Sequence, residues 1–247
     1  GLPPGRKATR AADPRQTFDT FLITPRNRDA YDACLAVSRR SRRHLLVLVS
    51  GPRSTGKSHL LRALMAQAVA AGKISAGRVD CAEPFEGLSP KDSELGLRAL
   101  RRVHGSDLVL IIDHLDHVAA RDDLATEVGH LIDDAMARGA HVVAAAQQPG
   151  SSLAALPQRT SDHLRTGVMV EAIPPGFEDR VEMLGRRAAA LGYDLPKGLL
   201  AFIARAHSAD VGIELASLEK MLSFAALLRK APDLEFVRGT VADNMMI

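Results

Sequence analysis

Gly51-Pro52-Arg53-Ser54-Thr55-Gly56-Lys57-Ser58 spells a complete G-x-x-x-x-G-K-[ST] loop, set between the apolar run Leu45-Leu46-Val47-Leu48-Val49 and an Ala/Leu-rich stretch opened by His59. Each residue type answers a demand of a polyphosphate. The glycines let the backbone curl so that successive N–H groups converge on one concavity, the Lys57 ammonium reaches the β- and γ-phosphates, and the Ser58 hydroxyl ligates Mg²⁺. The expected ligand is ATP or ADP with Mg²⁺, held by residues Gly51 to Ser58 with His59 next in line. A second metal-holding carboxylate is needed at the end of another strand, and Asp113 closes the run Leu108-Val109-Leu110-Ile111-Ile112. The next residue, His114, stands where a group that orients or deprotonates water belongs. Its imidazole titrates near neutral pH and is either the base itself or a non-catalytic polar residue. In an extended chain Asp116 would lie on the same side as His114 but roughly 6 to 7 Å further along, too far to hold the same water. Hydrolysis is therefore expected to be slow or absent.

These residues need elements to position them. A helix from about Asn27 to Arg40 precedes the P-loop strand, and Leu60, Leu61, Leu64, Met65, Ala68 and Val69 repeat with helical spacing up to Gly72. Arg78 to Cys81 reads as a short strand, 82–94 as a Pro- and Gly-broken loop, and Leu95 to Val103 as a helix. Leu108 to Asp113 is uninterrupted apolar sequence up to its final Asp, as expected of a parallel strand covered on both faces. A helix over Asp122 to Arg138 and a strand over His141 to Ala146 follow. Alternating strands and helices predict a doubly wound α/β sheet. After Pro174-Pro175-Gly176 the pattern turns helical, over Glu178 to Leu191, Lys197 to His207 and Val211 to Arg229, with an apolar stripe at Leu215, Leu218, Leu222 and Ala225. Leu234 to Val237 reads as a short strand or turn. The organisation expected is a mobile basic segment over 1–16, an α/β nucleotide-binding core over 17–175 and a helical lid over 176–247.

Composition narrows the class. With 247 residues, 46% of them hydrophobic, the chain can build a buried core. It contains no run of eighteen apolar residues and no secretory h-region, so a cytoplasmic protein with no membrane contact is expected. Cys34 and Cys81 stand far apart without nearby His pairs and read as ordinary buried thiols. His44, His59, His104, His117 and His130 show no metal spacing. The net charge of +3 hides an asymmetry: residues 1–43 hold ten Lys/Arg against four Asp/Glu. Arg39, Arg40, Arg42 and Arg43 meet nucleic acid phosphates without sequence specificity, meet an acidic partner, or form a solvated face. Aromatics make up only 4% and there is no Trp, so stacking platforms for single strands are scarce.

From about Thr17 to Val241 the chain resembles the AAA+ module of the bacterial replication initiator DnaA and its short relative Hda. The likeness rests on Phe18-Asp19-x-Phe21 with Asn27, on GPRSTGKSHLLRAL, on LIID ending at Asp113, and on AAAQQP ending at Pro149. It continues through Leu156-Pro157-Gln158-Arg159, the spacing to Gly167, Ile173-Pro174-Pro175, and Gly192-Tyr193-Asp194-Leu195-Pro196. The resemblance implies an ATP-binding P-loop core, a helical lid closing on the adenine, and assembly in which one subunit contacts the nucleotide of the next. It lays the Phe18 to Asn27 segment, with Phe21 and Asn27, along the base. It aligns Gln147 with the first sensor, His163 with the trans-acting arginine (Arg159 and Arg165 being nearby candidates), and Gly212 with the lid arginine that reads the γ-phosphate.

Several hydrolytic parts thus depart from the family pattern together. The resemblance then implies a DnaA-related regulator or accessory factor of replication initiation that uses ATP or ADP as a conformational switch. Its partners would be DnaA-like or replication proteins, or further copies of itself. The second reading is an active ATPase serving as helicase loader or as DNA-remodelling or transposition helper. A third is a nucleic-acid-binding module using the basic N-terminal segment. The initiator's helix-turn-helix domain, its paired helices for single-stranded DNA and a Gln-Leu-x-Leu clamp-binding segment find no counterpart in the sequence, so origin reading and a clamp-dependent role are not expected.

Overall fold

Parallel strands with branched and aliphatic residues on both faces carry the molecule up to Glu171. The structure is a computed structural model and describes residues 16–40, 45–70, 75–82, 108–206 and 210–236. Strands β1 (Leu46–Ser50), β2 (Ser75–Asp80), β3 (Leu108–Asp113), β4 (His141–Ala146) and β5 (Val168–Glu171) form one sheet in the order β2-β3-β4-β1-β5. Every neighbouring pair is parallel. Parallel neighbours cannot be joined by a tight hairpin, and among the described residues helices make the crossovers from β1 to β2, β3 to β4 and β4 to β5. Helix α1 (Arg28–Ser38) precedes β1, α2 (Lys57–Ala70) follows it, α3 (Asp122–Ala137) lies between β3 and β4, and α4 (Pro149–Ala155) and α5 (Gln158–Thr166) between β4 and β5.

The strand period of two divides the core into two layers. Leu46, Leu48, Leu110, Ile112, Val142 and Ala144 face Leu124, Val128, Leu131 and Ile132 of α3. The alternate residues Val47, Val49, Val109, Ile111, Val143 and Ala145 pack on Cys34 and Val37 of α1 and on Leu60, Leu61 and Leu64 of α2. Each fully buried leucine of this kind contributes about 1.5–3 kcal/mol. Cys34 and Cys81 are buried free thiols, as expected, and burial pushes both up to about 12.

The chain divides into two compact units, one comprising residues up to Pro52 with Gly56–Ile173, the other Arg53–Thr55 with Pro174 onward. The second unit is helical. Its helices α6 (Phe177–Ala190), α7 (Lys197–Ala206) and α8 (Val211–Leu228) enclose a core of Leu184, Ala188, Leu200, Ile203, Leu218 and Leu222. Asp179 caps α6 by accepting the Gly176 N–H at 2.9 Å, and Asp210 caps α8 by accepting the Ile213 N–H at 3.2 Å. Among the described residues no helix is long and apolar enough to cross a membrane.

The observed elements differ from the sequence expectation in four places. Strand β2 starts at Ser75 rather than Arg78, because pairing with Leu108 to Leu110 extends it into residues that carry no apolar signal. Strand β5 is additional. It is four residues long, pairs among the described residues only with β1 and alternates half-buried with exposed positions, too short a pattern to stand out. Helices α4 and α5 are also additional, the first being only seven residues with Pro, Gly and two Ser, the second rich in Ser, Thr and charged residues. Residues 234–236 are helical instead of extended. The expected loop over 83–94, the helix over 95–103 and the basic segment over 1–15 lie outside the described residues, as do 41–44 and 237–247.

Candidate nucleotide site

The turn after β1 is glycine-dependent at two points. Gly51 has φ +138°, and a Cβ there would lie 2.1 Å from the Ala172 carbonyl oxygen, because the backbone after β5 runs hard against it. Gly56 has φ +92°, and its Cβ would meet the Phe21 ring at 2.8 Å. Side chains would both clash and be strained in this backbone region. Helix α2 starts at Lys57 with no acidic residue in its first turn, which leaves its N-terminal N–H groups and dipole facing the loop as an anion site. Lys57 Nζ donates to the Gly51 and Pro52 carbonyls, each at 2.6 Å. Burial lowers the Lys57 pKa, and the negative charges of Asp116 and Asp113 oppose that shift.

The neighbour of the loop is a network of Arg78 and Asp80 from β2 with Asp113 and His114 at the end of β3, joined by Ser58 of α2. The parallel register sets Asp80 directly across from Asp113, so both carboxylates stand side by side at the ends of β2 and β3. Asp113 Oδ1 accepts the Ser58 hydroxyl at 3.2 Å and the His114 backbone N–H at 3.0 Å. Asp113 Oδ2 accepts an Arg78 N–H at 3.1 Å, and the same guanidinium nitrogen donates to Asp80 Oδ2 at 2.6 Å. His114 Nδ1 lies 2.8 Å from Asp80 Oδ1. Burial alone would raise Asp80, but the hydrogen bond and charge of His114 and the charge of Arg78 bring it down to about 2. His114 is raised above its ordinary value, chiefly by the bond to Asp80 and secondarily by the charges of Asp113 and Asp80, with burial opposing. Asp80, Asp113 and His114 place one donor atom each within 4.8 Å of one another. Ser58 and Asp113 offer oxygen donors of the type a hard cation such as Mg²⁺ takes, so they could hold one.

Arg78 and Asp80 were not singled out in the sequence. A signal was present: in a strand, positions 78 and 80 share one face, so R-V-D puts a cation and a carboxylate together. Recognising it required knowing that β2 lies beside β3.

Asp116 differs from the expectation of an extended chain. His114 takes a left-handed conformation (φ 54°), and Leu115–Ala120 then winds into a 3₁₀ turn. The Asp116 carboxylate is thereby carried to the end of β4, where it accepts the Gln147 N–H at 2.6 Å, the Gln148 N–H at 2.9 Å and the Ser152 hydroxyl at 3.2 Å. Burial raises its pKa, but these hydrogen bonds outweigh it and the net shift is downward. A depressed carboxylate stabilises the fold above its unfolded value near 3.8, and that contribution is lost as pH falls through the lower folded value. Asp116→Asn is expected to remove about 1 kcal/mol of acid-labile stability, seen as a flatter dependence of the unfolding midpoint on pH below 4.

The remaining expected residues are scattered by role. Phe21 is buried beneath Gly56, and Asn27 is occupied by its own loop, accepting the Thr24 N–H at 2.8 Å and donating to the Leu22 carbonyl at 3.0 Å. Phe21 underlies the phosphate loop at Gly56, and both Phe21 and Asn27 are buried, with no exposed face to stack on a base. His59 is pinned by the Thr17 carbonyl at 3.0 Å and meets Phe21 edge-on. Arg53 is exposed, Thr55 is buried, and the Ser54 hydroxyl donates to Asp210 at 2.6 Å within the second unit. Gly212, exposed in the first turn of α8, belongs to that unit too. Gln147 is half-buried after β4, held by its main chain. On α5, His163 Nδ1 lies 3.2 Å from Asp133 Oδ1 of α3, while Arg159 and Arg165 are exposed. Arg39 and Arg40 are exposed as well.

A glycine-built phosphate loop after the strand next to one sheet edge, an acid at the end of β3 and a following helical unit define a P-loop nucleotide-binding fold of the AAA+ class. The chain belongs to the family described as the bacterial DnaA ATPase domain, which its residues 12–171 match. It is 25% identical over 240 residues to the chromosomal replication initiator protein DnaA of Chloroflexus aurantiacus, covering 94% of this chain and 49% of that one. The chain thus spans about half the length of that relative. Domain III of the Thermotoga maritima replication initiation protein DnaA superposes with a TM-score of 0.80 at 20% identity, over 94% of this chain and 97% of that chain. AMPPCP-bound DnaA from Aquifex aeolicus superposes with a TM-score of 0.69 at 17% identity, over 86% of this chain and 66% of that chain.

Proposed function

We propose that this chain is a regulator or accessory factor of replication initiation that binds ATP or ADP as a conformational ligand and turns it over weakly or not at all. The observation that carries the reading is the contrast at the end of β3. Beside an intact phosphate loop, the residue after Asp113 is not a carboxylate but an imidazole whose Nδ1 is engaged by Asp80 at 2.8 Å. In this reading residues 51–58 would wrap the phosphates, Lys57 would turn from the loop carbonyls to the β- and γ-phosphates, and any Mg²⁺ accompanying them would be held by Ser58 and, against the Arg78 contact, by Asp113. The metal, when bound, neutralises phosphate charge. The relationship to DnaA, one of whose structures carries AMPPCP, supports a nucleotide ligand, and it makes DnaA-like proteins or a second copy of this chain the natural partners.

Calorimetric titration with ADP and ATP, paired with a turnover assay, tests this. Micromolar or tighter binding with turnover far below that of a working ATPase is expected; absence of any binding ends the proposal. One observation favours the active-ATPase alternative: with Nδ1 engaged by Asp80, the other ring nitrogen of His114 is the one left for water, the orientation an Asp–His pair gives a general base. Turnover that collapses in His114→Gln, in the presence of DNA or a replication partner, would favour that alternative.

A further inference from the structure

We propose that Arg78 is a resident counter-ion for Asp113 that makes nucleotide binding by this chain nearly independent of Mg²⁺; the inference rests on the nucleotide-binding reading above. One guanidinium nitrogen bridges two carboxylates, 2.6 Å from Asp80 Oδ2 and 3.1 Å from Asp113 Oδ2. The Asp113 side chain is 1% exposed, and both of its oxygens already carry donors: the Ser58 hydroxyl and the His114 N–H on Oδ1, and Arg78 on Oδ2.

In a P-loop site the metal adds to nucleotide affinity by linking the phosphates to the strand-end carboxylate. Here one oxygen of that carboxylate is already occupied, before any metal arrives, by a guanidinium that it shares with Asp80. A divalent cation approaching Asp113 meets a unit positive charge in contact with its own ligand, partly shielded from water, where like charges repel strongly. An arginine cannot relieve this by losing its proton, as a lysine could. Nor is it free to swing aside without exposing the Asp80–Asp113 pair, whose adjacency the register of β2 and β3 imposes. Affinity then rests on what needs no metal: the loop N–H groups, the α2 terminus and Lys57.

The position is specific to this arrangement. Arg78 reaches the site only because it alternates with Asp80 on β2, and neither residue belongs to the phosphate loop. The geometry therefore assigns metal dependence to the neighbouring strand.

The test is ADP affinity of the full chain measured by calorimetry in Mg²⁺ and again in EDTA, for the wild type, for Arg78→Met and for Arg78→Met/Asp80→Asn. The double variant removes the carboxylate left facing Asp113, so it answers the question if the single variant folds poorly. Wild-type affinities within about threefold of each other are expected, against a difference of about tenfold or more in the variants, which is about 1.4 kcal/mol. A tenfold Mg²⁺ requirement in the wild type would overturn the inference, and so would folded variants that stay indifferent to the metal. If the wild type binds ADP under neither condition, the nucleotide-binding reading itself has failed, and this inference with it.

Discussion

Lys57→Ala is expected to weaken ADP and ATP affinity by about a hundredfold or more while leaving the unfolding midpoint nearly unchanged, since truncating one partner of a desolvated charge pair costs about 2–5 kcal/mol. The asymmetry follows from what the ammonium touches. Without ligand, Nζ donates to the Gly51 and Pro52 carbonyls, and Pro52 is exposed, so water can replace much of what is lost. With ligand, phosphate oxygens would take the same ammonium, and nothing else among the loop's side chains is cationic apart from the exposed Arg53. The partial desolvation that lowers the Lys57 pKa also strengthens its attraction for an anion. Paired calorimetry and thermal unfolding check both halves. Unaltered affinity would place the phosphates somewhere other than this loop.

The second large effect is structural and lies in the helical unit. Arg180→Met is expected to cost about 3–5 kcal/mol, and Arg180→Met/Glu214→Leu to recover most of it, because breaking a buried ion pair strands one charge whereas replacing both leaves apolar contacts. Glu214 is fully buried on α8 and pairs with Arg180 of α6, while its second carboxylate oxygen has no partner. Arg180 also donates to the Ala204 carbonyl at 3.2 Å, so one guanidinium ties together all three helices of the unit. Burial raises the Glu214 pKa and Arg180 opposes that rise. A raised carboxyl favours the fold at low pH and loses that contribution as pH climbs through the folded value. The single variant should therefore regain stability on mild acidification, and the double variant should not. Urea unfolding followed by far-ultraviolet circular dichroism at two pH values measures this; equal losses in single and double variants would show that the pair is not an isolated unit.

How far these features can be read without coordinates depends on their range. The phosphate loop, the strand ending at Asp113 and the three helices of the second unit were all legible, because each is encoded within one contiguous stretch by glycine placement, an apolar run or helical spacing. Strand β5 and helices α4 and α5 were not, because their stability comes from neighbours: β5 exists by pairing with β1, and α4 starts where Asp116 gathers the Gln147 and Gln148 N–H groups.

The candidate site splits along the same line. Local order in the chain determined that a polyphosphate loop is present, that an acid stands opposite it, and that the following residue is an imidazole. Only the tertiary structure decided what that acid and imidazole are bonded to. Arg78 and Asp80 precede Asp113 by more than thirty residues and meet it through the parallel register of two strands, and after a left-handed His114 the Asp116 carboxylate turns to the Gln147 and Gln148 N–H groups while its charge still acts on Lys57. Spacing along a chain specifies which groups are available, whereas the charge each one feels depends on distances in space, and those are set by strand order and register.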